Sequence, residues 1–373
     1  MRFAIAGNDA TAFDVLRELA GSSAHSLVRC ALSGQLAAAV SQASIPVFLA
    51  ATVEDALLAG DVDIVIVAID DLDESLRIVR AASQADRHVI VIHPALCSPA
   101  YSFELHLILD ESQCGIMPLL PRTAITELPL AAVDLGLDEL TTRQLSLELS
   151  LTATSPLELR ATVIRGLDYL SAAGFKFTQV TALESNAPDG SLISRLITLS
   201  AATTAEKPLP PGTLTIKPSG KPSTAAERES VLQISLNGGG VRTVTIAETA
   251  NVVDRIVTVC QSREICGKWM DAFSVTMELA EAVSKSLRRR RTVDVHFDSG
   301  SEKGVFKSQM TALGCGVLTF MMLGMVAYLI VAQLVPLPDN VLHILRILWI
   351  TPLVLFLIAQ VLLPLARDRG NRE

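Results

Sequence analysis

The stretch Asp63–Pro94, DIVIVAIDDLDESLRIVRAASQADRHVIVIHP, decides the fold. It opens with a continuous β-branched run, Asp63–Ile69, and closes with another, His88–Ile92. Runs of this kind, with no polar alternation, suit strands buried on both faces of a parallel sheet. Between them Leu72, Leu76, Val79 and Ala82 recur at helical spacing. A strand, a helix and a second strand joined this way make a parallel crossover. Toward the N-terminus the pattern repeats. Phe3–Ala6 reads as a strand, Ala10–Ala20 as a helix and Leu27–Leu32 as a second strand.

The fold class that follows is α/β. Residues 1–122 form a Rossmann-type doubly wound parallel sheet, and residues 123–300 a second α/β domain with a large open sheet. In that second domain strand-like alternation surrounds one amphipathic helix, Pro156–Ala173. Ser191–Ala201, Thr213–Lys217, Val231–Leu236 and Val241–Ala247 read as strands of one sheet. The segment 203–230 is rich in Pro, Lys and Glu and is expected to form mobile loops. Met277–Leu287 is expected as a later helix, closing on the four arginines Arg288–Arg291.

Two apolar segments follow a polar linker at 301–309. Residues 310–334 run for 25 positions without a charge, and residues 347–366 for another 20, extendable to 341. Each meets the roughly 20 residues needed to cross a ~30 Å hydrocarbon core. The turn VPLPDN between them would force an antiparallel hairpin of two transmembrane helices, 310–334 and 341–366. Lys303 and Lys307 precede it and Arg367, Arg369 and Arg372 follow, so cation placement implies a multi-pass membrane protein with head and C-terminus cytoplasmic. The lipid bilayer is then a partner, with Arg288–Arg291 available to anionic lipids.

Composition narrows the function classes. The chain has 373 residues, half of them hydrophobic, and a formal net charge of -8. Residues 309–373 carry four arginines against three acids, a balance of +1, so the remainder holds -9. That charge argues against nucleic acid as a partner. The six cysteines form no CxxC pair and no cluster with histidine, so no metal site is expected. They read as small apolar core residues. The apolar run of the N-terminus stops at Gly7, as a first strand does and a signal peptide does not.

In a doubly wound sheet ligands bind beyond the carboxyl ends of the strands, and the first turn is the phosphate site. Here that turn is Gly7-Asn8-Asp9-Ala10-Thr11-Ala12. Against G-x-G-x-x-G/A, Gly7 fits and Ala12 is tolerable, but Asp9 replaces the central glycine. Its carboxylate obstructs pyrophosphate, and as a good N-cap it would occupy the amides a phosphate needs. The turn is either a helix start carrying its own cap or a dinucleotide site. In the second case the cofactor-binding candidates are Gly7, Asn8, Asp9 and Ala12, with Ser33, Ala68, Asp70 and Pro94 at the neighbouring strand ends. Ser33 stands where an acid usually holds the adenosine ribose. The cluster Asp70, Asp71, Asp73 and Glu74 complements the dipole of the following helix; a polyol or metal contact is the other reading.

The order of motifs resembles the Gfo/Idh/MocA family of glucose–fructose oxidoreductase and inositol dehydrogenase. The resemblance rests on VRCALSG (Val28–Gly34), PVFLAATVEDALLAGDVDIVIVAID (Pro46–Asp70), SLRIVRAASQADRHVIVIHP (Ser75–Pro94) and MELAEAVSKSLRRRRTVDV (Met277–Val295). It implies a Rossmann domain, an open-sheet domain often used for homo-oligomer contacts, and hydride transfer between NAD or NADP and a sugar or polyol. The departures fall at the reacting residues. Ile92-His93-Pro94 stands where the family has E-K-P, so His93 replaces the lysine. Arg160 and Ile164 fall near the positions of the family's Asp and His, and residues 107–295 contain no histidine. The expectation is a degenerate, non-catalytic binding or regulatory member. The alternative is an active NAD(P)-dependent oxidoreductase with His93 as its general acid or base.

Overall fold

The computed structural model describes residues 1–9, 12–57, 61–93, 96–124, 142–151, 155–172, 177–200, 211–218, 230–236, 241–246, 252–295, 319 and 322–324. The chain divides into two units, Met1–Phe297 and Asp298–Glu373. The first unit runs β1 (Arg2–Gly7), α1 (Phe13–Gly21), β2 (Ser26–Leu32), α2 (Gly34–Gln42), α3 (Val53–Leu57), β3 (Ile64–Ala68), α4 (Leu72–Gln84), β4 (His88–Val91), α5 (Pro99–Glu111) and β5 (Ile116–Pro118). After a 3-10 turn at Pro121–Ala124 come β6 (Thr142–Leu151), α6 (Pro156–Ala172), β7 (Gln179–Asn186), β8 (Leu192–Ser200), β9 (Gly212–Pro218), β10 (Ser230–Leu236) and β11 (Val241–Ile246). α7 (Val252–Cys260), α8 (Arg263–Arg289) and β12 (Val293–Asp294) complete it.

The first sheet has the order β2-β1-β3-β4-β5, with every pair parallel. A single parallel bridge, Cys30 to Leu49, extends it beyond β2, with Cys30 N–H on Phe48 O and Ala50 N–H on Cys30 O, each at 2.8 Å. The order reverses between β1 and β3, so the crevice at their carboxyl ends is the topological switch point. All five residues of β3 are buried, as its unbroken apolar run requires. α4 starts where Asp71 caps it, its Oδ1 accepting from Glu74 N–H at 2.9 Å, and Arg77 pairs with Glu74 and Glu54. Asp71, Asp73 and Glu74 therefore serve the helix start, as the dipole argument expects.

The second sheet has seven strands in the order β11-β10-β6-β9-β8-β7-β12, and β6 and β9 are its parallel pair. β6 alternates strictly: Leu145, Leu147, Leu149 and Leu151 are buried beneath α6. On the opposite face of β7 and β8, Leu183 and Leu196 stand paired and exposed, so this sheet is open on one side. The closing helix is longer than the Met277–Leu287 read from sequence. It begins at Arg263, where Ser262 Oγ accepts from Ile265 N–H, and packs against β7, β5, α5 and α6, so it fastens one sheet to the other. Glu18 of α1 does similar work, accepting from the N–H groups of Val252 and Val253 at the start of α7.

The two-span expectation, and with it the multi-pass location with a cytoplasmic head, is corrected here. Among the described residues no helix is long and apolar enough to cross a membrane. α8 has the length, but Glu264, Lys268, Asp271, Glu278, Glu281 and Lys285 along it are incompatible with a hydrocarbon core. The segments 310–334 and 341–366 lie outside the described residues apart from Thr319 and Met322–Gly324, so no span stands on the structure. Most of the 203–230 segment also lies outside, though its Gly212–Pro218 part is β9.

Candidate functional site

The switch-point crevice is built from the β1 turn and the end of β3. Gly7 ends β1 so close to its neighbour that a Cβ there would stand 2.5 Å from Ala68 O. The glycine is needed for strand packing, whatever binds beyond it. Asn8 then laces the ends of β1 and β3 to the start of α2. Its N–H donates to Ala68 O at 2.9 Å, its Oδ1 accepts from Asp70 N–H at 3.0 Å, and its O accepts from Leu36 N–H at 3.2 Å. Gly34, at φ +58°, passes within 3.3 Å of the Asn8 Cβ, measured from where its own Cβ would be. Ser33 caps α2 by position and donates its N–H to Gly7 O at 3.0 Å.

Asp9 does not cap α1, which corrects the expectation drawn from its residue type. The N-cap is the buried Ala12, with no side-chain cap bond, and Ala12 N–H reaches Asp9 O at 3.2 Å. The Asp9 N–H donates to Ala68 O at 3.1 Å. Burial, followed by the neighbouring Asp9 carboxylate, pushes the Asp70 carboxyl above its ordinary value.

The described residues of this turn, Gly7–Asp9 and Ala12, offer an acid and no cation to the phosphates of NAD or NADP. A pyrophosphate at a helix N-terminus needs free N–H groups and positive potential. Asn8, Asp9 and Ala12 have committed their amides to main-chain acceptors, and the Asp9 carboxylate contributes to raising the Asp70 carboxyl above its ordinary value. The sequence candidates Gly7, Asn8, Asp9, Ser33, Ala68 and Asp70 are brought together at the ends of β1, β2 and β3, with Ala12 at the start of α1. Pro94 lies outside the described residues. Among those residues no group of His, Cys, Asp and Glu could hold a metal ion.

A second cluster lies one strand over, past β4. His93 is half-buried, its ring 4.9 Å from that of Phe273 on α8, and its Nδ1 lies 3.7 Å from Cys97 Sγ. The Cys97 thiol contacts Met277 Sδ at 3.0 Å, and burial pushes its pKa up to about 12. It is therefore a protonated thiol at neutral pH and no nucleophile. Arg160 of α6 reaches Cys97 O at 3.0 Å and Ser284 Oγ at 3.3 Å. Ile164, one turn on, is buried in the core. His93 and Arg160 thus converge on one residue, while the remaining family position is a hydrocarbon. That set can bind through charge and hydrogen bonds.

Sequence reasoning missed the ion pair beneath this cluster. Asp168 of α6 is fully buried and accepts from Arg122 N–H at 2.8 Å and from Arg122 Nε at 2.6 Å. Arg122 Nη2 also donates to Asp168 O at 3.1 Å. A charged residue inside the apolar run Val163–Leu170 was the available signal; its partner, in the turn after β5, was not readable.

No protein-family model matches the chain, and no curated protein matches it. Solved structures do. A putative myo-inositol dehydrogenase from Sinorhizobium meliloti is similar at 12% identity and TM-score 0.61, over 79% of this chain and 100% of that one. A myo-inositol dehydrogenase from Corynebacterium glutamicum is similar at 13% identity and TM-score 0.60, over 79% and 99%. The myo-inositol dehydrogenase from Lactobacillus casei, in complex with NAD(H) and myo-inositol, is similar at 11% and 0.60, over 80% and 98%. The resemblance read from the motif order is thus matched in three dimensions, and the chain has the fold of the inositol dehydrogenase-like oxidoreductases, the Gfo/Idh/MocA architecture.

Proposed function

We propose that this protein is a non-catalytic member of the dehydrogenase fold, a binding or regulatory module that does not carry out NAD(P)-dependent hydride transfer. One observation carries the reading. At the carboxyl end of β4 and the facing turn of α6, where the fold's chemistry would take place, stand His93, Arg160 and the buried Ile164. General acid–base oxidation of an alcohol needs a base within hydrogen-bond reach of the hydroxyl and a hydride acceptor held beside it. His93 is packed against Phe273 and Cys97, and Asp9 stands where the dinucleotide fingerprint has its central glycine.

NAD or NADP remains the cofactor to test, because the Lactobacillus casei structure is a complex with NAD(H) and myo-inositol. The second reading, an active oxidoreductase with His93 as base, draws on the placement of that imidazole at a strand end, half-buried. Incubation of the purified full-length protein with NAD or NADP and a panel of polyols separates the two. The expected outcome is no reduced nicotinamide at 340 nm. Reduction that His93→Ala abolishes would establish the enzyme instead.

A further inference from the structure

We infer that the arginine turn closing α8, Arg288–Arg291, is a docking site for an anionic phospholipid surface. All four residues are exposed, and among the described residues none of them forms an ion pair. The preceding cation of the helix, Lys285, is paired with Glu281. The negative end of a helix dipole amounts to about half an elementary charge. It accounts for one cation at the end of α8, not for four in succession.

The turn is held at both ends. Ser286 is fully buried, and its Oγ accepts from Ala182 N–H at 2.9 Å and donates to Arg291 O at 2.7 Å. Thr292 Oγ1 lies 2.7 Å from Thr181 Oγ1, and Val293 pairs with Val180 of β7. Arg290 ends the helix in the left-handed region, at φ 51° and ψ 41°, a conformation that favours glycine. The chain thus places a fourth charge there against the local backbone preference. Successive residues of a helix end point in different directions, so the four guanidinium groups spread over the turn and do not close on one small anion. An extended array of phosphates suits them. A guanidinium pairs bidentately with phosphate, and each basic residue near an anionic lipid surface gains about fivefold in affinity. A single-stranded nucleic acid would also call for aromatic side chains to stack on, and the run Ser284–Val295 contains none. The contact requires no segment of the chain to cross the bilayer.

The test measures co-sedimentation of the full-length protein with two kinds of vesicle, phosphatidylcholine alone and equal parts phosphatidylcholine and phosphatidylserine. Apolar segments bind both kinds alike, so the ratio of the two affinities isolates the charges. The unmodified protein is expected to favour the anionic vesicles by roughly 100-fold or more at low salt, and less as salt rises. Replacing all four arginines by glutamine is expected to cut that preference roughly 100-fold. Arg290→Gly alone should cut it about fivefold while the melting temperature holds or rises, because glycine suits the left-handed position. Equal affinity of the unmodified protein for both vesicles would overturn the inference, as would an undiminished preference in the four-glutamine variant. So would arginine-dependent binding to a DNA duplex or an acidic peptide with no preference for anionic vesicles.

Discussion

Asp168→Ala is expected to destabilise the fold by about 3–5 kcal/mol, because it leaves a charge buried without its partner. The Arg122 side chain is 13% exposed and the Asp168 side chain 0%. The pair is bound through the Arg122 main-chain N–H as well as its guanidinium, and through both Asp168 carboxylate oxygens and the Asp168 carbonyl. Truncation removes the acceptors for two N–H groups and strands the guanidinium between the turn after β5 and α6. The pair itself is not expected to be strongly stabilising, since desolvation offsets most of its attraction. Replacing both residues, as Arg122→Met with Asp168→Leu, should therefore recover much of the loss. Urea unfolding of the three proteins measures this. A loss below about 1 kcal/mol for Asp168→Ala would mean that water reaches Arg122 and that the joint is not as closed as described.

Phe273→Ala should cost about 3–5 kcal/mol by the same measurement, through the cavity it opens. The ring is fully buried in α8 and packs against the His93 imidazole at 4.9 Å. Its removal frees one face of that imidazole as well as emptying a core site, so it couples stability to the geometry of the second cluster. Phe273→Leu keeps most of the volume and is expected to cost less than about 1.5 kcal/mol. If the alanine variant loses no more than the leucine one, α8 shifts to fill the space and the packing against His93 is not fixed by Phe273.

Much of the first sheet was legible because its signals are local. Ile64–Ala68 and His88–Val91 lie within the β-branched runs read from sequence, and Leu72–Gln84 matches the helical spacing to a residue at its start. The second sheet was read in part. β6 and β7 lie in the alternating region but went unassigned as individual strands, and the first half of α8, Arg263–Thr276, mixes Cys, Trp, Asp and Phe in a way that hides its stripe. The site was harder. That Gly7, Asn8, Asp9 and Asp70 lie near one another follows from the topology. That the N-cap of α1 is Ala12 while the Asp9 N–H goes to Ala68 O depends on where the Ala68 carbonyl points, which no local pattern encodes. The Arg122–Asp168 bond spans 46 positions and had no sequence signature at either end.

A titration of the unmodified full-length protein with NADH and NADPH tests the non-catalytic reading most directly. With the amides of Asn8, Asp9 and Ala12 already bonded and Asp9 at the place of the fingerprint's central glycine, a Kd above roughly 1 mM is expected for both, equivalent to no more than about -4 kcal/mol. A Kd in the micromolar range for either dinucleotide would contradict it.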